Sequence, residues 1–202
     1  ENREEFIKVF ERKLEENMSA DKRPEHHKRD LLLSDRISQG TVKDIIKDIF
    51  EINFDDDEKE EIYKDGERKP IQLFINSYGG SVYDGLALID VIKRSKTPVH
   101  TVCIGSCMSM ALWVWLSGAK RFVGESATLM FHDVSLFAYD KTEGIKQELN
   151  EMIRLQEMLV SEIVEKSMIK EETLRDYISR KAEWYIPATE AITLKLADKY
   201  YK

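Results

Sequence analysis

Between residues 71 and 132, short apolar strand-like runs alternate with segments of helical spacing, and this alternation narrows the fold more than any other feature of the chain. The segments are 71–75, 82–93, 99–104, 110–116, 121–123 and 128–132. Such alternation implies parallel strands joined by crossover helices, an α/β architecture. A strand over 31–34 and a helix within 38–53, with Val42, Ile45, Ile46, Ile49 and Phe50 at helical spacing, precede this block. Residues 55–68 are a run of acids and lysines with Gly66, read as a solvated loop or helix end.

Beyond residue 132 a long amphipathic helix is expected over 141–167, with Ile145, Leu149, Met152, Ile153, Leu155 and Leu159 among its apolar positions. That is more apolar surface than one core-facing stripe requires, so part of the helix is expected to meet another subunit. Two short helices, over 170–179 and 188–195, flank the segment 182–186. At the other end, Phe6, Ile7, Val9, Phe10 and Leu14 form one stripe of an amphipathic helix over 1–18. A polar linker with Pro24, His26 and His27 follows, the histidines being read as solvated. The expected organisation is thus an N-terminal helix and linker over 1–30 and a single folded domain over 31–202.

A chain of 202 residues, 42% hydrophobic and 34% charged, has the composition of a globular domain with a sizeable core. Its formal net charge of -7 argues against nucleic acid as a partner. The longest apolar run, around 108–116, is too short to span a bilayer. No apolar leader is read in Glu1-Asn2-Arg3-Glu4-Glu5, although the chain does not begin with Met. Cys103 and Cys107 are too few for a disulfide framework or a zinc site, and both are read as reduced and buried. The cytoplasm is the expected compartment, with no metal, no organic cofactor and no membrane association.

Three short motifs carry the chemistry. In Gly105-Ser106-Cys107-Met108-Ser109-Met110, Ser109 stands between an apolar strand and the apolar helix that starts at Met110. A serine there either caps the helix or presents a nucleophilic hydroxyl beside free backbone N–H groups. In Asn76-Ser77-Tyr78-Gly79-Gly80, paired glycines let the backbone approach a ligand, so that the Gly80 N–H can serve as an oxyanion donor. His132 ends the strand Thr128-Leu129-Met130-Phe131, where a histidine acts either as a hydrogen-bonded structural group or as a base.

In their order and spacing the three motifs resemble the Clp protease proteolytic subunit family, serine peptidases of the crotonase-like superfamily, over residues 31–202. The resemblance implies a crotonase-like superhelix of βαβ units with a protruding handle helix at 141–167. It implies Ser109 as nucleophile, His132 as base, and the N–H groups of Gly80 and Met110 as the oxyanion hole. The backbone at Ser81 and Val82 would pair with extended peptide substrate. The family's usual aspartate falls, counting back from Pro187-Ala188-Thr189-Glu190-Ala191, on Glu183, and the Glu183-Trp184 pair is similar to phage-type members. Asp176 is a competing third residue, and a chain with no competent third residue is the remaining alternative. Implied partners are unfolded polypeptides, further copies of the chain in rings (a tetradecamer in the family), and a separate AAA+ unfoldase. An inactive ring subunit and an acyl-CoA enzyme of the same fold are the competing functions. Tyr78 stands where the family has proline and is expected to tighten or cover the cleft.

Overall fold

A computed structural model of the chain describes residues 29–63, 68–134 and 142–202, and residues 31–202 pack as one compact unit. The expected helix over 1–18 and the linker histidines lie outside the described residues. Seven strands form one sheet: β1 (Asp30–Leu33), β2 (Ile71–Ser77), β3 (Val99–Met108), β4 (Lys120–Val123), β5 (Thr128–Phe131), β6 (Trp184–Pro187) and β7 (Lys199–Tyr200). The helices are α1 (Gln39–Tyr63), α2 (Val82–Arg94), α3 (Met110–Leu116), α4 (Thr142–Lys166), α5 (Glu171–Ser179) and α6 (Ala188–Thr193). The expected α/β class with parallel strands is what the molecule adopts: β2–β3, β3–β4, β3–β5 and β4–β7 all pair in parallel.

The long strand β3 organises the sheet by changing partners along its length. His100–Cys103 pair with β4, whereas Ser106–Met108 pair with β5. On the β2 side, Ile75 and Ser77 face Cys103 and Cys107, so two residues of one strand span four of the other. This bulge is centred on Gly105, where a Cβ would come within 2.6 Å of Asn76 Oδ1. That same oxygen accepts the Ser106 N–H at 3.2 Å, which pins the bulge and sets the direction in which β3 runs on to Ser109. The sequence reading stopped this strand at residue 104 because a glycine signals a turn; here the glycine bends a strand that continues.

Two further boundaries differ. Of the two readings of the charged segment, loop or helix end, the structure takes the second: the helix runs on to Tyr63, because tertiary pairs hold it. Asp56 is buried and accepts the Thr97 hydroxyl at 2.6 Å, while Arg68 bridges Asp57 and Glu60. The stretch after α5 also forms a strand, β6, antiparallel to β5 in the register Thr128–Pro187 to Phe131–Trp184. Every side chain of α3 is buried, as its unbroken apolar sequence requires. On α4, Leu155 and Leu159 belong to the core, and the apolar residues left exposed are Ile145, Leu149, Ile153 and Met158. Among the described residues, no helix is long and apolar enough to cross a membrane.

Candidate active site

Ser109 is the single residue between the end of β3 and the start of α3, and its backbone adopts φ 55° and ψ -126°. A positive φ at a residue with a Cβ costs on the order of 1–3 kcal/mol and persists only where surrounding bonds impose it. Here the Ser109 N–H donates to Met130 O at 3.0 Å, and its carbonyl accepts from Leu112 N at 3.0 Å. The strand bond ties the turn to β5, the element that leads to His132. The Ser109 side chain makes no capping hydrogen bond to the helix. Of the two readings open for this serine, capping is therefore absent from the structure.

The glycine turn packs directly under the serine. Gly79 has φ +98°, and a Cβ there would stand 2.9 Å from Ser109 Cβ and 2.8 Å from Met108 O. Only glycine permits both the conformation and the approach. Ile37 N–H donates to Gly79 O at 2.9 Å, and Ser81 N–H donates to Ile37 O at 2.9 Å, forming a parallel bridge centred on Ile37 and Gly80. In that pattern the bonds come from the residues either side of Gly80, so its own N–H faces away from Ile37. Met110, the first residue of α3, has no intrahelical acceptor for its N–H. The fixed turn thus leaves two backbone donors on either side of Ser109.

A cavity of about 270 Å³ brings these groups together, with Ser109, His132, Gly80, Met110 and Val82 on its walls. Met130, Phe131, Trp113 and Leu159 make the rest of the surface largely apolar. One concavity thus brings together a hydroxyl, an imidazole, two backbone segments with N–H groups and an apolar recess, the kinds of group that acyl transfer requires. Asp133 also lines it. Ser81 does not: its N–H is engaged by Ile37, and its hydroxyl accepts Asp84 N–H at 3.4 Å as the cap of α2. Tyr78 is 79% exposed and borders a neighbouring cavity rather than the one at Ser109, so it does not cover the cleft as expected.

Glu183 and Asp176 are distinguished by their surroundings. Asp176 is ion-paired with Arg180 at 2.5 Å, one turn along its own helix. Glu183 is exposed and does not line the cavity; its carboxylate accepts the Tyr185 hydroxyl at 2.6 Å, which pushes the phenol up from its ordinary value. The β5–β6 ladder ends at the Phe131–Trp184 rung, and the next step of the same antiparallel register pairs His132 with Glu183. Residues opposite one another share a face, with Cβ atoms about 5 Å apart when the rung forms. Trp184 anchors this end of the strand by stacking on Tyr177 at 5.0 Å.

The sequence reading missed a buried carboxylate behind the cavity. Glu162 of α4 accepts the indole N–H of Trp113 at 2.6 Å and lies 2.9 Å from Lys93 and 3.1 Å from Lys166. Its signal was an acid set among the apolar Leu159, Val160 and Ile163 on one helix face. Cys103 and Cys107 are both buried and free, as expected, and burial pushes the Cys107 thiol up. Among the described residues no group of histidines, cysteines and acids has the arrangement of a metal site.

The Clp protease family profile matches residues 25–202. The chain is 28% identical to the ATP-dependent Clp protease proteolytic subunit 1 of Prochlorococcus marinus subsp. pastoris over 172 residues, covering 84% of this chain and 82% of that protein. It is 28% identical over 177 residues to proteolytic subunit 2 of a Synechococcus strain, covering 84% and 81% of the two chains. Against the Clp protease proteolytic subunit of Deinococcus radiodurans, identity is 32% over 133 residues, covering 64% of this chain and 63% of that one.

Proposed function

This chain belongs to the Clp protease family, and from that premise we propose that it is a serine endopeptidase acting through Ser109, His132 and Glu183. Ser109 Oγ attacks the carbonyl carbon of the scissile peptide bond while His132 takes the hydroxyl proton. Charge developing on the carbonyl oxygen is met by the N–H groups of Gly80 and Met110, held in place before reaction. His132 then protonates the departing amine, and water, activated by the same imidazole, releases the acyl group from Ser109. Glu183 orients the imidazole and stabilises its protonated form once the His132–Glu183 rung closes and the carboxylate turns from Tyr185. The observation that carries this reading is one cavity lined by Ser109, His132 and Gly80, with a serine that is held at positive φ and caps nothing.

The substrate is an extended polypeptide running past Gly80 and Val82, which line the cavity, whereas Ser81, expected to pair with it, has its N–H and carbonyl taken up by Ile37 and Gly85. We place residues 31–202 in the crotonase-like peptidase domain and residues 1–30 in an N-terminal appendage, with α4 as the handle. Ile145, Leu149 and Ile153, exposed on that helix, fit contact with further copies of the chain in stacked rings. The Prochlorococcus and Synechococcus relatives are named as ATP-dependent, and a separate AAA+ unfoldase in the cytoplasm would supply that energy here. A fluorophosphonate probe tests the chemistry: labelling of wild type that is lost in Ser109→Ala supports the peptidase. Absence of labelling assigns the chain to a non-catalytic ring subunit.

A further inference from the structure

The cavity at Ser109 is lined by one permanently cationic side chain that the reaction above does not use, Arg36. A second cavity, bordered by Asn76, Tyr78 and Gly79, has Arg36 and Gly80 in common with the first. Arg36 therefore borders both depressions next to a proposed oxyanion donor. The bridge between Ile37 and Gly80 fixes its backbone, and Arg36 Cγ lies 3.0 Å from where a Cβ on Gly80 would be. The aliphatic stem thus lies along the glycine turn.

Its guanidinium has no carboxylate partner among the described residues. Arg68, Arg121, Arg154, Arg175 and Arg180 each pair with an acid. The neighbouring Asp35 accepts the backbone N–H of Arg36 at 2.6 Å instead of engaging its side chain. Asp133 shares the Ser109 cavity without bonding to Arg36. In a chain of formal net charge -7, a planar donor left open on a concave rim is half of a charge-assisted pair.

We propose that Arg36 forms a subsite for a carboxylate side chain, so that the cleft selects peptides with Asp or Glu next to the reacting bond. This selection rests on the peptidase reading above. The guanidinium offers two parallel N–H donors to the carboxylate, and the substrate backbone runs past Gly80, whose bridge to Ile37 holds the adjacent Arg36 in place. A partly exposed pair of this kind corresponds to about a fivefold preference.

The test uses peptides amidated at the C-terminus and identical except for Glu, Gln or Lys, scanned through the positions flanking the cleaved bond. Wild type is expected to show a Glu-to-Gln ratio in kcat/KM of about five at one position. That ratio should fall to about one in Arg36→Gln and invert in favour of Lys in Arg36→Glu. Because each ratio is taken within one variant, a general loss of rate does not imitate the effect. An unchanged ratio in Arg36→Glu overturns the subsite, as does a preference that appears only with a free terminal carboxylate. Fluorescence anisotropy of the same peptides on Ser109→Ala and on Ser109→Ala/Arg36→Glu reads the subsite without chemistry. Tighter binding of the Glu peptide, lost in the double variant, supports it, and equal binding of Glu and Lys peptides contradicts it. Hydrolysis that survives Ser109→Ala would instead count against the peptidase reading, with the binding margin still deciding Arg36.

Discussion

The indole N–H of Trp113 donates to Glu162 Oε2 at 2.6 Å, joining a wall of the Ser109 cavity to the helix α4 behind it. Glu162 is 9% exposed, and Lys93 and Lys166 complete its surroundings. Lys166 also donates to Leu116 O at 2.6 Å, the last residue of α3. The charge cluster around Glu162 thus grips α3 near its middle at Trp113 and at its end at Leu116, four and seven residues from the serine that precedes it.

Replacing Glu162 by Gln should lower unfolding stability at neutral pH by about 2 kcal/mol, since two lysines lose their counter-charge. Burial alone would push the Glu162 carboxyl up, but the bonds from Lys93, Trp113 and Lys166 hold it below the ordinary glutamate value of 4.5. A carboxyl depressed in the folded state stabilises above its unfolded value and loses that contribution as pH falls through its folded value. Urea unfolding of both proteins should therefore show a gap that is full above about pH 4.5 and closes on further acidification. A gap that widened in acid would contradict the pairing.

Gly79→Ala should both destabilise the chain and remove reactivity at Ser109. The added Cβ meets Ser109 Cβ at 2.9 Å, and the residue must keep φ +98°. The combined strain is expected to cost about 2 kcal/mol in thermal or urea unfolding. Loss of fluorophosphonate labelling in protein that remains folded by circular dichroism would show that the turn positions the serine.

Glu183→Gln should reduce kcat by about two to four orders of magnitude without unfolding the chain, because an amide does not stabilise an imidazolium. Asp176→Asn should be nearly silent, its carboxylate being bonded to Arg180. Tyr185→Phe removes the competing donor to Glu183 and should leave kcat equal to or above that of wild type. Strong loss in Asp176→Asn with none in Glu183→Gln would reassign the third residue.

The purified chain should scatter light as a ring-sized assembly. Charged substitutions at Ile145, Leu149 and Ile153 should give smaller species, because these side chains are apolar yet exposed on the single chain. A fully active monomer would contradict both the ring and the role given to α4.

Much of this was legible in the sequence where local pattern and packing agree. The unbroken apolar run of α3 and the glycine pair at Gly79 and Gly80 announced a buried helix and a close backbone approach. What stayed hidden was set by partners distant in the chain. The run 55–68 was open between loop and helix end because its charges lacked visible partners; Thr97, Lys96 and Arg68 supply them and extend the helix to Tyr63. Strand β6 is four residues long with only Ile186 fully buried, too little alternation to announce a pairing with β5. Arg36 carried no local signal, because its importance comes from Gly80 and the cavity beyond it. Leu155 and Leu159 stood among the apolar positions of a helix expected to meet another subunit in part, yet they pack in the core, since periodicity does not say which apolar stripe faces inward.

In the proposed reaction Ser109 attacks peptide bonds with His132 as its base. The most direct measurement compares wild type with Ser109→Ala on a fluorogenic peptide, with the size of the assembly recorded by light scattering for both. Loss of the nucleophile should lower kcat/KM by at least about a thousandfold while leaving assembly size unchanged, because the hydroxyl makes no capping bond in the fold. Hydrolysis by Ser109→Ala within about tenfold of wild type would contradict the account, as triad nucleophiles are never that dispensable.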